Sequence, residues 1–207
     1  MNIKDAYDRW SASYDADENL TRDLDQRVTR ITLAEWKCKS IIEIGCGTGK
    51  NTALLSQISD KVHAVDISSG MLKKAREKPG PSNVSYSMAD ITKPWPFADR
   101  CADLIVCNLV LEHVKDVSFI FSQASRLLVE GGRFFICELH PFRQYQGKKA
   151  RFQSERGATE IQAFVHHLSE FIDAAMQNGF ALASFKEWWH EKDQNKLPRL
   201  VSFILCK

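Results

Sequence analysis

Three glycines and two acids in the sequence have types and spacings that could bind a nucleoside. Gly45, Gly47 and Gly49 alternate directly after an isoleucine-rich run. Because glycine has no Cβ, such residues let the main chain turn sharply and let a flat or charged ligand approach it. Asp66 ends a second apolar run roughly 20 residues later, where a strand-end carboxylate hydrogen-bonds both hydroxyls of a ribose. Asp90 ends a third run and can accept a hydrogen bond from the exocyclic amine of an adenine.

The spacing of the glycines separates the kinds of nucleotide site. A dinucleotide fingerprint reads Gly-x-Gly-x-x-Gly, but Lys50 occupies the place of its third glycine. A phosphate-binding P-loop needs Gly-Lys-Ser/Thr, and here Asn51 follows Lys50. The spacing therefore disfavours an NAD oxidoreductase and excludes a P-loop. A glycine turn that holds no ligand is the simplest alternative.

Histidines near the predicted strand ends are the candidates for a general base, because histidine titrates near neutral pH. His140 follows the fifth predicted strand, where we expect it to face the acceptor of a transferred group. His113 follows the fourth, where it would act as a base or brace the loop. For His166 and His167 we expect hydrogen bonds at the entry to a helix. The predicted catalytic residues are therefore His140 and His113.

The order of apolar runs and helical spacings predicts an α/β fold. Buried runs alternate with helical patterns up to about residue 138, which requires a mostly parallel sheet with helices on both sides. We expect a doubly wound three-layer sandwich. The predicted strands are 41–44, 62–66, 84–88, 102–107, 133–138, 180–188 and 200–206, the last two being antiparallel, and the predicted helices include 23–36, 50–58, 119–128 and 169–177.

The first 36 residues are predicted to form lid helices. Tyr7, Trp10 and Tyr14 are spaced three and four apart, so one helix would carry all three rings. A segment ahead of the first strand can close over a ligand and exclude water. For Tyr7 alone, ordinary core packing is the better interpretation.

A second helix in this segment is predicted over residues 23–36. Leu24, Val28 and Ile31 recur at helical spacing and would form its buried face. Arg22, Arg27 and Arg30 decorate its other faces. An arginine near the amino-terminal end could pair with the carboxylate of a ligand, and a charge that only faces solvent is the alternative.

Length and composition indicate one domain, residues 1–207, with one core. The chain has 207 residues, of which 44% are hydrophobic, and a net charge of +2, which implies neither a nucleic acid nor an anionic membrane as partner. No signal-peptide pattern or long apolar run is present, so we expect a cytoplasmic protein. The 6 cysteines form no Cys-x-x-Cys pair, so reduced thiols are expected and a metal site is not.

These motifs together resemble those of class I S-adenosylmethionine-dependent methyltransferases. The resemblance covers residues 14 to about 138 and rests on Glu43-x-Gly-x-Gly-x-Gly, Val65-Asp66, Ala89-Asp90, a Leu-x-His-Val segment that ends at Val114, and Gly131-Gly132. It implies a Rossmann-like, seven-stranded sheet whose last strand is antiparallel, with S-adenosyl-L-methionine as donor and S-adenosyl-L-homocysteine as product. The cofactor-binding residues that it implies are Tyr14, Gly45, Cys46, Gly47, Thr48, Gly49, Asp66, Ile67, Met71, Ala89, Asp90, Ile91, Asn108 and Leu109.

The resemblance implies methyl transfer by in-line displacement, in which alignment and removal of water supply most of the acceleration. The irregular insertion 139–166 is the expected acceptor pocket. Asn108 is followed by Leu109-Val110 rather than by the Pro-Pro-aromatic sequence of nucleic-acid amino methylation, so a nucleic-acid acceptor is disfavoured. We expect a small-molecule acceptor that is methylated on oxygen or nitrogen. A carrier-protein-linked carboxyl group, a protein or an RNA as acceptor, and a catalytically silent binding module stay open, as does the oligomeric state.

Overall fold

A seven-stranded sheet forms the centre of the molecule in a computed structural model that describes residues 2–154, 157–194 and 196–207. Its strands are β1 (Cys38–Ile44), β2 (Ser59–Asp66), β3 (Val84–Met88), β4 (Ala102–Asn108), β5 (Leu128–Leu139), β8 (Ala181–Trp188) and β9 (Leu200–Cys206), and a separate hairpin consists of β6 (Arg151–Ser154) and β7 (Gly157–Glu160). The strand order in the large sheet is β3-β2-β1-β4-β5-β9-β8. Neighbours from β3 to β5 are parallel, whereas β9 is antiparallel to both β5 and β8.

Helices cover both faces of this sheet. Alternation along β1 shows the two layers: Ile41 packs in a cluster with Leu24 and Val28, whereas Ile42 packs on the opposite face with Phe121. The three-layer α/β fold predicted from the sequence is therefore confirmed, including the antiparallel last strand. The helices are α1 (Ile3–Trp10), α2 (Leu20–Leu33), α3 (Thr52–Leu55), α4 (Ser69–Glu77), α5 (Val117–Leu127), α6 (Pro141–Tyr145) and α7 (Leu168–Gln177).

The carboxyl ends of the parallel strands meet at one edge of the sheet. The strand order reverses between β1 and β4, because the chain crosses first to β2 and β3 and later to the other side of β1. In open α/β sheets a crevice forms outside the strand ends at such a switch point. The residues that follow β1, β2 and β4 are therefore brought together.

The helix after the glycine loop is shorter than predicted. We expected residues 50–58, but α3 has only 4 residues, Thr52–Leu55. The Ser56 hydroxyl donates to the carbonyl of Ala53 at 2.8 Å, and β2 already begins at Ser59. So short a helix offers little dipole to a ligand, and the loop itself has to supply the contacts.

The buried face of α2 also differs from the prediction. Leu24 and Val28 are buried as expected, but Ile31 is 62% exposed. A polar stripe of Arg22, Asp25 and Thr29 is buried in its place. Asp25 and Thr29 bond Asn108 at the end of β4, and Arg22 donates to main-chain carbonyls of the segment before α2, so the helix turns this stripe inward.

The predicted acceptor insertion, residues 139–166, has more regular structure than expected. It contains the short helix α6 and the β6–β7 hairpin, while its residues 155 and 156 lie outside the described part of the chain. In the described ranges, the structure contains no helix with the length and apolar character needed to cross a bilayer.

Candidate functional site

A cavity of about 420 Å³ lies at the carboxyl edge of the sheet. The glycine loop after β1 and the ends of β2 and β4 form its floor, and α1 and α2 cover it. The predicted site residues that line it are Tyr14, Gly45, Cys46, Gly47, Thr48, Asp66, Ile67, Met71, Ala89, Asp90, Ile91, Asn108, Leu109 and His113. Gly49 and His140 are not among its lining residues.

Gly45 and Gly47 both have a left-handed backbone, and at Gly45 there is no room for a side chain. Gly45 has φ +69° and a Cβ there would lie 2.1 Å from Cγ2 of Val110. Gly47 has φ +54° with no atom within 4 Å of a Cβ position, so its surface faces open space. The loop thus packs against the segment after β4 on one side and presents bare main chain on the other.

Asp66 ends β2 and ties two loops together. Its Oδ2 accepts a hydrogen bond from the N–H of Gly47 at 2.8 Å, and its Oδ1 accepts one from the N–H of Ser68 at 2.8 Å. Burial raises the pKa of Asp66, against the effect of these two hydrogen bonds. A carboxylate has further lone pairs on each oxygen, so Asp66 can still accept hydrogen bonds from the cavity.

Gly49 lies behind the glycine loop and packs against the protein. A Cβ on it would lie 3.2 Å from the Tyr86 hydroxyl and 3.4 Å from the Cβ of Ala75. The third glycine of the motif therefore serves the packing of the loop on β3 and α4 rather than the lining of the cavity.

Asp25 lines the cavity and connects α2 to the loop after β1 and to the end of β4, and sequence reasoning missed it. It accepts hydrogen bonds from Nδ2 of Asn51 at 2.8 Å and from Nδ2 of Asn108 at 2.9 Å. Asn108 also donates to Oγ1 of Thr29 at 2.7 Å. Burial raises the pKa of Asp25 to about 6. The available signal was the i, i+3, i+7 spacing of polar residues 22, 25 and 29, which places them on one helix face.

Glu43 is a second buried acid in the cavity wall. Its Oε2 accepts a hydrogen bond from Oγ1 of Thr52 at 2.5 Å. Burial, with smaller contributions from Asp25 and Asp66, raises the pKa of Glu43 to about 8. The wall of the cavity therefore contains several buried acids. A positive charge next to them would favour their ionised form.

Among the described residues of the cavity wall, three polar atoms are buried without a hydrogen-bond partner. They are Nε of Arg22, Oδ1 of Asn51 and Oδ1 of Asn108. The Arg22 guanidinium lies 4.0 Å from the ring centroid of Tyr14 and donates to the carbonyl oxygens of Tyr14 and Asp17. Buried polar atoms normally have partners, so these three are the groups that a bound ligand would satisfy.

Another part of the cavity lining combines the apolar Met71 with two polar residues, Asp90 and Thr92. Met71 is 1% exposed and lines the cavity. The carboxylate of Asp90 accepts hydrogen bonds from the N–H and the hydroxyl of Thr92, both through Oδ1. Nε1 of Trp95 donates to the carbonyl of Ile91 at 2.9 Å, which holds this segment in place.

His113 and Tyr7 both line the cavity and contact each other. The Tyr7 hydroxyl lies 2.7 Å from Nε2 of His113, and Nδ1 of His113 lies 2.8 Å from the carbonyl of Gln162. A carbonyl can only accept, so Nδ1 carries the proton and Nε2 accepts the Tyr7 hydroxyl hydrogen. Burial lowers the pKa of His113 and raises the pKa of Tyr7. Tyr7, for which we expected core packing, therefore lines the cavity as a neutral donor to a neutral histidine.

The structure does not bring His140 to the cavity, which corrects the expectation that it faces the acceptor. Its side chain is fully buried, with Nε2 2.8 Å from Oε1 of Glu187, and its Nδ1 accepts from the N–H of Phe142. Both ring nitrogens thus hold the start of α6. His166 lies 2.7 Å from the carbonyl of Val114 ahead of α7, in the helix-entry position that we expected.

The lid is attached to the ligand loops by side chains of its own. Oδ1 of Asp8 accepts from the Ser68 hydroxyl at 2.6 Å and from the N–H of Gly70 at 2.9 Å. Oδ1 of Asp15 accepts from the Thr48 hydroxyl at 2.6 Å. The amino-terminal segment therefore contacts both the glycine loop and the start of α4.

Residues 42–136 match the family model described as methyltransferase domain. The chain is 28% identical over 185 residues to the biotin biosynthesis bifunctional protein BioHC of Cellvibrio japonicus, which covers 89% of this chain and 36% of that protein. It is 26% identical over 199 residues to the malonyl-[acyl-carrier protein] O-methyltransferase of Nitrosospira multiformis, covering 86% of this chain and 64% of that protein. The chain thus spans less than two thirds of the length of these relatives.

Solved structures share the fold. A putative S-adenosylmethionine-dependent methyltransferase from Listeria monocytogenes superposes with a TM-score of 0.78 at 18% identity, over 90% of this chain and 99% of that one. The N-methyltransferase NodS from Bradyrhizobium japonicum, solved in complex with S-adenosyl-L-homocysteine, superposes with a TM-score of 0.73 at 16% identity, over 100% of this chain and 99% of that one.

Proposed function

We propose that this protein, which carries a class I S-adenosylmethionine-dependent methyltransferase domain, transfers a methyl group from S-adenosyl-L-methionine to an oxygen or nitrogen of a small molecule. The family resemblance predicted from the sequence is confirmed by the matching domain and by the fold. The observation that carries the proposal is the cavity at the switch point of the sheet, whose wall combines a bare glycine loop with unpartnered polar atoms.

The unpartnered atoms are suited to the carboxylate and the ammonium group of an amino acid. Nε of Arg22 is a donor suited to a carboxylate, whereas Oδ1 of Asn51 and Oδ1 of Asn108 are acceptors suited to an ammonium group. Asp25 lies directly behind both asparagines. These four residues would hold the methionine part of the donor.

The remaining wall fits an adenosine. Asp66 would accept hydrogen bonds from the ribose hydroxyls, and the Ala89–Ile91 segment would hold the adenine against Met71. When bound, the donor supplies a methyl group on a sulfonium whose thioether is already a good leaving group. What the chain has to provide is therefore alignment and exclusion of water.

A small acceptor is favoured by the way the lid covers the cavity. Asp8 attaches α1 to the start of α4, Asp15 attaches the following turn to the glycine loop, and Tyr7 attaches α1 to His113. With these contacts formed, the cavity of about 420 Å³ is of the size used for single small ligands. A folded protein or an RNA helix would require the lid to move away.

A carboxyl group displayed on a carrier protein is the second candidate acceptor. It is favoured by the similarity to the malonyl-[acyl-carrier protein] O-methyltransferase, because a long pantetheine-like arm could reach a covered site from outside. That relative is only 26% identical, so it does not decide between the two candidates.

The proposal is tested by incubating the protein with methyl-tritiated S-adenosyl-L-methionine and, in separate reactions, a protein-free metabolite extract, a protein extract and total RNA. We expect label in the metabolite fraction, together with calorimetric binding of S-adenosyl-L-homocysteine. Label only in protein or RNA would contradict the small acceptor. Binding without transfer to any fraction would indicate a silent binding module instead.

A further inference from the structure

The lining of the cavity contains a pair of side chains suited to taking up a proton. Tyr7 and His113 both line the cavity, and the Tyr7 hydroxyl lies 2.7 Å from Nε2 of His113. The hydrogen bond from Nδ1 of His113 to the carbonyl of Gln162 leaves Nε2 as the basic nitrogen. The pair therefore presents an oxygen to the cavity and a proton acceptor directly behind it.

We propose that Tyr7 and His113 form a proton-accepting pair for methyl transfer, and that the acceptor is a small phenol or enol that loses its hydroxyl proton rather than a carboxylate. This inference rests on the function proposed above and specifies its acceptor. A carboxylate enters without a proton to lose at neutral pH, so a buried base would do nothing for it.

The proposed step balances in atoms and charge. The acceptor oxygen forms a bond to the methyl carbon as its own O–H bond breaks, and the electron pair of the carbon–sulfur bond stays on sulfur. Tyr7 receives the acceptor's proton while its own proton passes to Nε2 of His113. The positive charge of the sulfonium donor thus ends on the imidazolium of His113, 3.8 Å from Oε1 of Glu112.

Charges in the cavity wall also disfavour an anionic acceptor. The cationic residues in the described lining are Lys4, Arg22 and Lys50. Lys4 pairs with Asp8 at 2.6 Å and Lys50 with Asp23 at 2.7 Å. Arg22 lies against Tyr14 beneath α1, where it is assigned to the donor. In the described lining, each lysine is therefore paired with an aspartate, and the arginine is assigned to the donor. No cation there is left to bind the carboxylate of an acceptor.

Two buried acids lie near the pair. Glu112 is 6% exposed and Glu138 is 2% exposed, and within the described part of the chain the Oε2 atom of each has no hydrogen-bond partner. Burial raises the pKa of Glu112 to about 7 and the pKa of Glu138 to about 8. A positive charge that forms on His113, 3.8 Å from Oε1 of Glu112, would favour the ionised form of this neighbouring acid.

The chemical stability of the transferred label distinguishes the acceptor classes even while the acceptor itself is unidentified. The protein is incubated with methyl-tritiated S-adenosyl-L-methionine and a protein-free metabolite extract, with catechol and the malonyl thioester of N-acetylcysteamine as defined probes in parallel. Brief alkali releases volatile methanol from a methyl ester but leaves an aryl or enol ether intact. We expect alkali-stable label in the extract and in catechol, and none in the malonyl thioester.

Substitution of Tyr7 and of His113 is the second part of the test. Tyr7→Phe and His113→Gln are each expected to lower transfer at pH 7 by about 100-fold or more, within the range for loss of a general base. Because a phenol ionises by itself near pH 10, the loss in Tyr7→Phe should shrink as the pH is raised to about 10. A merely structural role would give a loss that does not depend on pH.

His63→Gln is the matched control, because His63 lies on β2 with hydrogen bonds to Ser85 and Ser87 and away from the cavity lining. It should transfer label as the wild type does. Independently of turnover, nitrogen NMR of the imidazole should show His113 neutral and protonated on Nδ1 at pH 7. All variants should bind S-adenosyl-L-homocysteine within about threefold of wild type.

The outcomes separate the inference from the function on which it rests. Alkali-labile label, or label retained as a methylated amine, leaves the methyltransferase in place and overturns the hydroxyl acceptor. Full activity of Tyr7→Phe at pH 7, or His113 protonated on Nε2 alone, overturns the proton-accepting pair. Absence of any transfer removes the proposed function, and with it this inference.

Discussion

Asp66 supports two loops and faces the ligand cavity at the same time, so a test has to preserve its shape. Asp66→Asn keeps the volume but removes charge and one strong acceptor. We expect it to weaken binding of S-adenosyl-L-homocysteine by about 1–3 kcal/mol, the cost of leaving polar partners poorly paired in a buried site. Isothermal calorimetry measures this directly.

Asp99→Asn is the control for this prediction. Asp99 pairs with Arg126 at the surface, where its side chain is 70% exposed, and its loss should leave the affinity unchanged. Equal affinity of Asp66→Asn and wild type would remove Asp66 from the donor site.

Glu43 makes the stability of the ligand-free protein depend on pH. Burial raises its pKa from 4.5 to about 8, so the folded state holds this proton more tightly than the unfolded state. Stability from this group is therefore lost as the pH rises from about 4.5 to 8, and the loss is complete above the folded pKa. We expect Glu43→Gln to be more stable than wild type at pH 8.5, by an amount on the order of a few kcal/mol, and equal to it near pH 4.5.

Urea denaturation at these two pH values gives the comparison. Asp25 and Glu138, whose pKa values burial raises to about 6 and about 8, add the same sign of dependence. They are present in both proteins, so the difference reports Glu43 together with its coupling to the neighbouring Asp25 and Asp66. A Glu43→Gln variant that is less stable than wild type at pH 8.5 would contradict the prediction.

Among the residues of the site, those predictable from the sequence follow from spacing along the chain. The glycines and Asp66 each lie at a fixed distance from a strand end, and Asp90 follows the same rule. Asp25 and Tyr7 reach the site from helices far away in sequence, and only the packing of those helices decides which face turns inward. The prediction for His140 was wrong for the same reason, since its partner Glu187 lies on β8.

At the scale of elements, the docking of α1 on α4 depends on one glycine. A Cβ on Gly70 would lie 2.5 Å from the Ser11 hydroxyl and 3.0 Å from the carbonyl oxygen of Asp8. Gly70→Ala should favour α4 itself by about 1 kcal/mol of helix propensity but displace α1. We expect faster hydrogen exchange in residues 3–10 and dissociation of S-adenosyl-L-homocysteine that is several-fold faster.

Gly80→Ala is the matched control, because the nearest atom to its Cβ would be the carbonyl oxygen of Lys78 at 3.7 Å. It should change neither quantity. Unaltered exchange in α1 of Gly70→Ala would show that the lid accommodates the methyl group and is not held at this point.

Strands were more predictable than helices in this chain. Apolar runs identified the central strands β1, β4 and β5, because central parallel strands are buried on both faces, whereas the edge strand β3 was identified by its alternating pattern. The predicted helix after the glycine loop was too long, since Ser56 and Ser59 bond main-chain carbonyls there and end it early. The predicted buried face of α2 was wrong at Ile31 because the inward stripe is polar, against the usual pattern.

At the scale of the whole molecule, β9 joins the parallel part of the sheet to its edge strand. Phe203 on β9 is 1% exposed, and its ring centroid lies 5.4 Å from both Phe171 and Phe185. Phe203→Ala should lower the free energy of unfolding by about 3–5 kcal/mol through lost burial and a cavity.

Urea denaturation followed by circular dichroism measures the effect. Phe185 is the control, because its ring contacts Phe203 but is 40% exposed. Phe185→Ala should lower the free energy of unfolding much less than Phe203→Ala does. A similar loss for both variants would contradict the prediction that the burial of Phe203 stabilises the sheet.

The parallel direction of the central strands was predictable, because the helices between them serve as crossover connections. The path of the insertion 139–166 was not, since no short-range rule governs it.

The stacking of Trp10 on Phe152, at 5.6 Å between ring centroids, gives the protein an optical reporter of its own. The indole of Trp10 is 4% exposed and lies between the amino-terminal lid and the β6–β7 hairpin. Any movement that separates these two elements takes the indole into water, where its emission shifts to longer wavelength. Because the chain has 5 tryptophans, a variant that keeps Trp10 alone would let such a movement be followed without an attached dye.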